Sequence, residues 1–427
     1  MNFSNALSNI SIDNISRHYD TVCVLDSNAN VNSSQQVKYK KLIAVGCLRK
    51  LLVEPQKPAL SQLQEFIDHK RTWLFGFISY DLKNELEQLY SKNFDGLNFP
   101  LISFFQPEFV IEVVDDFIEI HYDDQLSGSV DDLIKKFVSS SICETSKKNA
   151  ISIKPRMSEE EYLAAANALK DHIKKGDIYE VNYCQEFYAE NVQIDPLQVF
   201  KKLNAISSAP FASFFKFENY HLMSSSPERF LKKEGVRLIS QPIKGTAKRS
   251  SNEEEDQQLK EQLKLDPKER SENVMIVDLV RNDLSKLAQK GSVRVDELYG
   301  VYTFKQVHQM ISTISCDLKP DLTFEDIIKA TFPMGSMTGA PKHSAMQLIE
   351  KYEKTKRGLY SGTIGYIDPK GDFDFNVVIR SILYNSKDQY LSFSVGSAIT
   401  DKADAKDEYE ECMLKAKAMF DVLQKMN

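Results

Sequence analysis

The sequence predicts an α+β fold. Two observations point there: helical and strand-like segments fall in unequal groups rather than alternating singly, and several of the strand-like segments lie close enough to pair as hairpins. Residues 73–82 (WLFGFISYDL) and 109–121 (FVIEVVDDFIEIH) are rich in aromatic and β-branched residues and read as strands. Residues 139–149 (SSSICETSKKN) are polar and Ser/Lys-rich and read as a linker or surface loop. They divide the chain into an N-terminal lobe, 1–150, and a second region, 151–427. After the linker, Ser158 and Glu161 form a capping box, and the helix they open stops at Gly176. Residues 178–188 read as a strand, and 220–243 as two strands joined near Glu234 and Gly235. Asp266 as N-cap and Pro267 at the first helical position open a helix that runs to about Gln289. A further helix covers 342–356, strands cover 360–367, 373–384 and 390–395, and a final amphipathic helix covers 404–423.

Composition narrows the function classes. The 427 residues amount to about three domains at ~150 residues each, enough to bury a large core. A net charge of −7 with no basic block argues against nucleic acid or an anionic membrane as a partner. The 6 cysteines include no CxxC pair, so neither a zinc site nor a disulfide framework is signalled. The first residues lack a basic start and an apolar core, and no apolar run reaches the ~20 residues of a membrane span. The expectation is a cytoplasmic enzyme with reduced thiols. The P-loop, GxGxxG and HExxH signatures are absent, so any chemistry lies elsewhere.

Four constellations stand out. Glu269 and Glu272 share one face of the helix opened by Asp266, and Glu408, Glu411 and Lys415 share one face of the last helix. Four carboxylates converging from two helices would suit a hard cation such as Mg²⁺, which keeps several waters and is bridged to an anionic substrate. Such spacings also describe ordinary solvated helix surface, and Glu269 has a second reading as partner of the Asp266 cap. Lys244, in PIKGT between a strand and a Gly-Thr turn, reads either as an exposed turn lysine or as a ligand-facing amine that desolvation makes nucleophilic. Glu228, in SSSPERF, reads as a general acid if burial raises its pKa, or as the ion-pair partner of Arg229 or Lys232. The loop FPMGSMTGAPK precedes a helix whose N-terminus can receive an anion, or is a plain loop and cap.

In this order and wording, SSSPERF, PIKGT, KERSENVMIVDLVRNDL, HQMISTI, FPMGSMTGAPK, GLYSGTIGY and EYEECMLKAK resemble the chorismate-binding enzymes. That family holds the anthranilate synthase large subunit, aminodeoxychorismate synthase component I, isochorismate synthase and salicylate synthase. The likeness is strong over 157–423 and extends weakly to 76–82. It implies two interlocked lobes of stacked, mostly antiparallel sheets with helices outside, and a site between the lobes. It implies Mg²⁺ on Glu272 and Glu411, with Glu269 and Glu408 holding its waters, and Lys415 near the metal-bound carboxylate. It gives Glu228 the role of general acid at the departing C4 hydroxyl, and puts His308 close to the reacting ring. Gly245 and Thr246 would contact substrate, and Tyr360, Arg380 and Gly396 would line the pocket for ring and enolpyruvyl carboxylate.

Within the family, PIKGT resembles the aminodeoxychorismate synthase branch, whereas the anthranilate synthases resemble PIAGT. The resemblance implies chorismate and ammonia as substrates, a separate glutamine amidotransferase subunit as ammonia source, and Lys244 as a nucleophile toward ring C2. For that role desolvation in a closed cleft, with Mg²⁺ nearby, should favour the neutral amine. Anthranilate synthase component I is the alternative, and a non-catalytic chorismate- or tryptophan-binding regulator is the second. Two positions depart from the family pattern: Glu180 stands where ammonia-using members usually have Gln, and Ala398 where a glycine is usual.

Overall fold

The computed structural model describes residues 2–3, 11–28, 38–55, 58–114, 117–123, 126, 130, 151–305 and 307–424. The stretch 139–149, read as a linker, lies outside the described residues. The strands form two sheets, one of 12 strands and one of 10. Each sheet draws strands from both sides of residue 150. In the larger, Thr21–Asp26 pairs with Phe211–Phe217; in the smaller, Leu74–Ile78 pairs with Thr363–Ile367. Both ladders are antiparallel, in agreement with the expected α+β class of interlocked sheets.

Side-chain alternation along each strand builds two cores. On Thr21–Asp26, Cys23 and Leu25 join a core shared by the two sheets, while Val22 and Val24 join a core between the larger sheet and its helices. Aromatic rings fill the space between the sheets: Phe77 meets Phe215 edge-on at 5.3 Å, and Phe105 stacks on Phe217 at 6.0 Å. Helices Glu159–Lys175, Pro196–Ser207 and Ala405–Gln424 cover the larger sheet through Tyr162, Phe200 and Met419. Helix Pro267–Leu287 joins the other core through Ile276, Val280 and Leu284.

The helix-start signals read from sequence hold, whereas residues 80–82, expected as strand, form a short helical turn, and the helix expected over 342–356 ends at Tyr352. Ser158 and Glu161 form the capping box, and Gly176 ends that helix at φ 83°. Asp266 accepts hydrogen bonds from the backbone N–H groups of Lys268 and Glu269. Two expected strands instead divide where the chain changes sheet. Residues 220–243 give three strands, not two: Tyr220–Ser226 lies in the larger sheet, and Arg229–Glu234 and Arg237–Gln241 in the smaller. Pro227, which has no N–H for a ladder, marks the break. Residues 373–384 likewise split into Phe373–Asn376 in the smaller sheet and Ser381–Asn385 in the larger. The two crossings are tied together: Val377 N–H donates to Glu228 O at 3.0 Å, and Ser225 N–H to Arg380 O at 3.1 Å.

Just past the first crossing, Arg229 makes a bidentate ion pair with Asp374 at 2.8 and 2.9 Å, with side chains 2% and 4% exposed. Truncating one partner leaves the other charge buried. Asp374→Ala is therefore expected to destabilise the fold by about 3–5 kcal/mol, read as a drop in the urea midpoint at unchanged slope. A midpoint within experimental scatter of the parent would show that the pair does not hold this crossing.

Candidate active site

Lys244 lies on Ile243–Lys248, an edge strand of the smaller sheet, and Glu180 opens Glu180–Ala189 in the larger. The Lys244 Nζ donates to Glu180 Oε1 at 2.6 Å, with side chains 11% and 1% exposed. Lys244 is thus neither an exposed turn lysine nor a neutral amine. Burial by itself lowers the pKa of its ammonium, but the carboxylates of Glu180, Glu272 and Glu411 more than offset that and raise it. Desolvation acts in the expected direction, but the pocket that excludes water also gathers negative charge, which outweighs it.

Glu269 and Glu272 come from helix Pro267–Leu287, Glu408 and Glu411 from helix Ala405–Gln424. The two helix faces meet: Lys268 Nζ reaches Glu408 Oε1 at 3.3 Å, and Glu411 raises the pKa of both Glu269 and Glu408. Burial is the larger cause for both, and it pushes Glu272 up to about 7. Burial also opposes ionisation of Glu411, but Lys415, 2.6 Å away, holds its carboxyl below the usual range. Asp266 caps the Glu269 N–H, while the Glu269 carboxylate lies beside Gly245: a Cβ on Gly245 would sit 3.1 Å from its Oε2. Glu272 Oε1 is buried with no hydrogen-bond partner.

These donors fit a divalent cation. They are oxygen ligands on two rigid helices, they repel one another, and one buried oxygen lacks a partner. No three of the four bring ligand oxygens within 4.8 Å of one another; among the described residues only Glu112, Glu119 and His121, on another hairpin, do so. An open set of this kind suits an ion that keeps waters and shares its shell with a substrate.

Glu228 lies at the crossing from larger to smaller sheet, 4% exposed, and its Oε1 accepts from Ser336 Oγ at 2.6 Å. Its sequence neighbours are committed elsewhere, Arg229 to Asp374 and Lys232 to Glu234. Burial drives its pKa up to about 7, against the lowering effects of Ser336, Lys244, the Ile243 N–H and Arg380. It can therefore hold a transferable proton near neutrality. Arg380 sits at the other crossing with φ 50°. That left-handed backbone is one few non-glycine residues adopt.

The remaining expected residues surround this centre with different degrees of engagement. Gly245 has φ +99°, and exposed Thr246 is paired with Gln309. Gly396 lies opposite Cys184, where a Cβ would come within 2.5 Å of the thiol sulfur. Lys415 Nζ donates to Gly396 O at 2.9 Å. Buried Tyr360 accepts from Cys184 Sγ at 3.8 Å. His308 is beside the strand of Lys244, opposite Ala247, but both its ring nitrogens are engaged, Nε2 with Asp256 and Nδ1 with Thr303, each at 3.0 Å. Sequence reasoning did not single out Ser336 or Lys268 as site residues. Ser336 lies in the flagged FPMGSMTGAPK loop, whereas nothing local marks Lys268 as the partner of a glutamate on another helix.

A family model described as chorismate binding enzyme matches residues 19–421. An anthranilate synthase component I-like protein of Synechocystis is 34% identical over 364 residues, covering 82% of this chain and 72% of that one. The chloroplastic aminodeoxychorismate synthase of Arabidopsis thaliana is 41% identical over 277 residues, 64% of this chain but only 30% of the plant protein. Aminodeoxychorismate synthase component 1 of Bacillus subtilis is 32% identical over 361 residues, covering 82% of this chain and 76% of that one. Among solved structures, anthranilate synthase component I from Streptococcus pneumoniae superposes with TM-score 0.81 at 26% identity, covering 91% of this chain and 93% of that one.

The raised pKa of Glu228 has a stability consequence. A carboxyl whose folded pKa lies above its unfolded value stabilises fully below the unfolded value, and the contribution is lost as pH rises through the folded one. For Glu228 that window runs from about 4.5 to about 7. Glu228→Gln, which cannot ionise and retains an acceptor for Ser336, is expected to melt above the parent at pH 8. The gap should close toward pH 5, and a gap that does not change with pH would contradict the assignment.

Proposed function

This chain belongs to the chorismate-binding enzyme family, and we propose that it is component I of an aminodeoxychorismate synthase, aminating chorismate at C4 to give 4-amino-4-deoxychorismate. The observation that carries this choice is Lys244: a nearly enclosed amine between Glu180 and the paired glutamates, with its charge acting on Glu228. The alanine of PIAGT would offer no nucleophile there.

In this reading Glu272 and Glu411 hold Mg²⁺, and Glu269 and Glu408 its waters. The ion, when bound, supplies positive charge to the ring carboxylate of the substrate. Arg380, Tyr360 and Gly396 take the enolpyruvyl side, and Gly245 lets backbone approach the ring because no Cβ intervenes. Protonated Glu228 gives its proton to the C4 hydroxyl, which leaves as water. Lys244 passes its proton to Glu180 and forms a bond to C2, both ring double bonds shifting as the C4–O bond breaks. Ammonia then bonds to C4, the double bonds shift back, and the C2–N bond breaks with its electron pair returning to Lys244, while the proton of the new C4 ammonium returns to Glu228. Two easier displacements replace one difficult one. His308, held by Asp256 and Thr303, keeps its ring fixed beside the strand of Lys244. A separate glutamine amidotransferase would deliver ammonia, in a cytoplasmic step toward para-aminobenzoate and folate. Among the described residues no helix is long and apolar enough to cross a membrane.

Anthranilate synthesis is the second reading, favoured by relatives that bear that name. Incubation with chorismate, ammonium and Mg²⁺ separates the two by mass. The expected product keeps the enolpyruvyl group, whereas anthranilate with free pyruvate would overturn the proposal. Glutamine without a partner subunit is expected to give no product. Lys244→Ala is expected to lower amination by orders of magnitude and to abolish an enzyme–substrate adduct seen by intact mass when ammonia is withheld. Full amination by that variant, with no adduct in the parent, would make the lysine a bystander.

A further inference from the structure

Glu180 is spent only in part by its ion pair. Its Oε1 meets Lys244, but its Oε2 is buried and has no hydrogen-bond partner, although the side chain is only 1% exposed. A carboxylate oxygen in that position costs free energy unless something else satisfies it. Glu272 presents a second such oxygen, Oε1. Two buried carboxylate oxygens, one on each of these residues, are thus left without a partner.

Three ion pairs form here, Lys244 with Glu180, Lys268 with Glu408 and Lys415 with Glu411, and they leave both of these oxygens unsatisfied.

We propose that Glu180 belongs to the cation site, its free Oε2 taking part in Mg²⁺ binding directly or through a water while its Oε1 keeps Lys244 in place. One carboxylate then links the cation to the amine. This rests on the divalent-cation reading of the glutamate set. The neutral amide of the Gln found at this position in the resembled ammonia-using enzymes would offer the cation no charge.

The test is titration calorimetry of Mg²⁺ into chelator-treated protein, with and without chorismate and with ammonia withheld, so that turnover plays no part. Glu272→Gln is expected to abolish detectable binding, and Glu180→Gln to weaken it at least tenfold. Loss of Lys244's counter-ion could produce the second effect indirectly, so the comparison is repeated in Lys244→Met, or in Lys244→Gln should the first not fold. In that background the lysine charge is gone, and Glu180→Gln is still expected to weaken binding at least tenfold. Glu234→Gln, a carboxylate outside the set that pairs with Lys232, should bind within about twofold of the parent, with folding of every variant checked by circular dichroism. Unchanged affinity on adding Glu180→Gln to the lysine variant, while Glu272→Gln still loses the ion, would overturn the role of Glu180 and leave the glutamate site standing. Absence of Mg²⁺ binding by the parent under both conditions would overturn both.

Discussion

The ion pair between Lys244 and Glu180 joins an edge strand of the smaller sheet to a strand of the larger one, in surroundings that exclude most water. Its geometry is close, at 2.6 Å, and the desolvation of both charges is offset by that contact and by the field of neighbouring groups. Such a pair adds little net stability compared with an apolar substitute, but removing one partner strands the other. It therefore acts chiefly as a locator, fixing the amine where its charge is felt by Glu228 and where it feels the charges of Glu272 and Glu411.

That choice has an electrostatic consequence. The same carboxylates that hold Lys244 raise its pKa, so the amine proposed as nucleophile rests as an ammonium. Burial, joined by the charges of Glu180 and Glu269, also raises the pKa of Glu272 to about 7. A divalent cation among these groups would relieve both strains, since it stabilises the carboxylates and weakens their hold on the ammonium proton. The buried glutamates and the buried lysine are thus one coupled system, and charge changes at any member should be felt by the others.

The backbone contributes by changing sheets. Glu228 and Arg380 lie at two crossings that are hydrogen-bonded to each other, and each is freed from the regular ladder at the point where it is needed. Arg380 adopts a left-handed backbone there, and Ser336 arrives from a separate loop to meet Glu228. Gly396 and Cys184 pack so closely that no side chain fits between them, which keeps the adjoining strands at a fixed separation beside Tyr360.

The amino-acid sequence by itself determined the local elements: the capping box at Ser158, the Asp266–Pro267 helix start, and the shared faces that carry Glu269 with Glu272 and Glu408 with Glu411. These depend on spacing within one element, which a sequence records directly. Its motif order also carried the family. Only the tertiary structure decided that residues 220–243 and 373–384 each divide between two sheets, because alternation of side chains is the same in either sheet and says nothing about which partner a strand takes. Only it joined Lys244 to Glu180, 64 positions apart, and Ser336 to Glu228, 108 apart. The charge state of Lys244 belongs to that second class. Burial is a property a motif can suggest, but the sign of a buried group's pKa shift depends on which charges the fold brings beside it, and three carboxylates from three separate elements outweigh the loss of water.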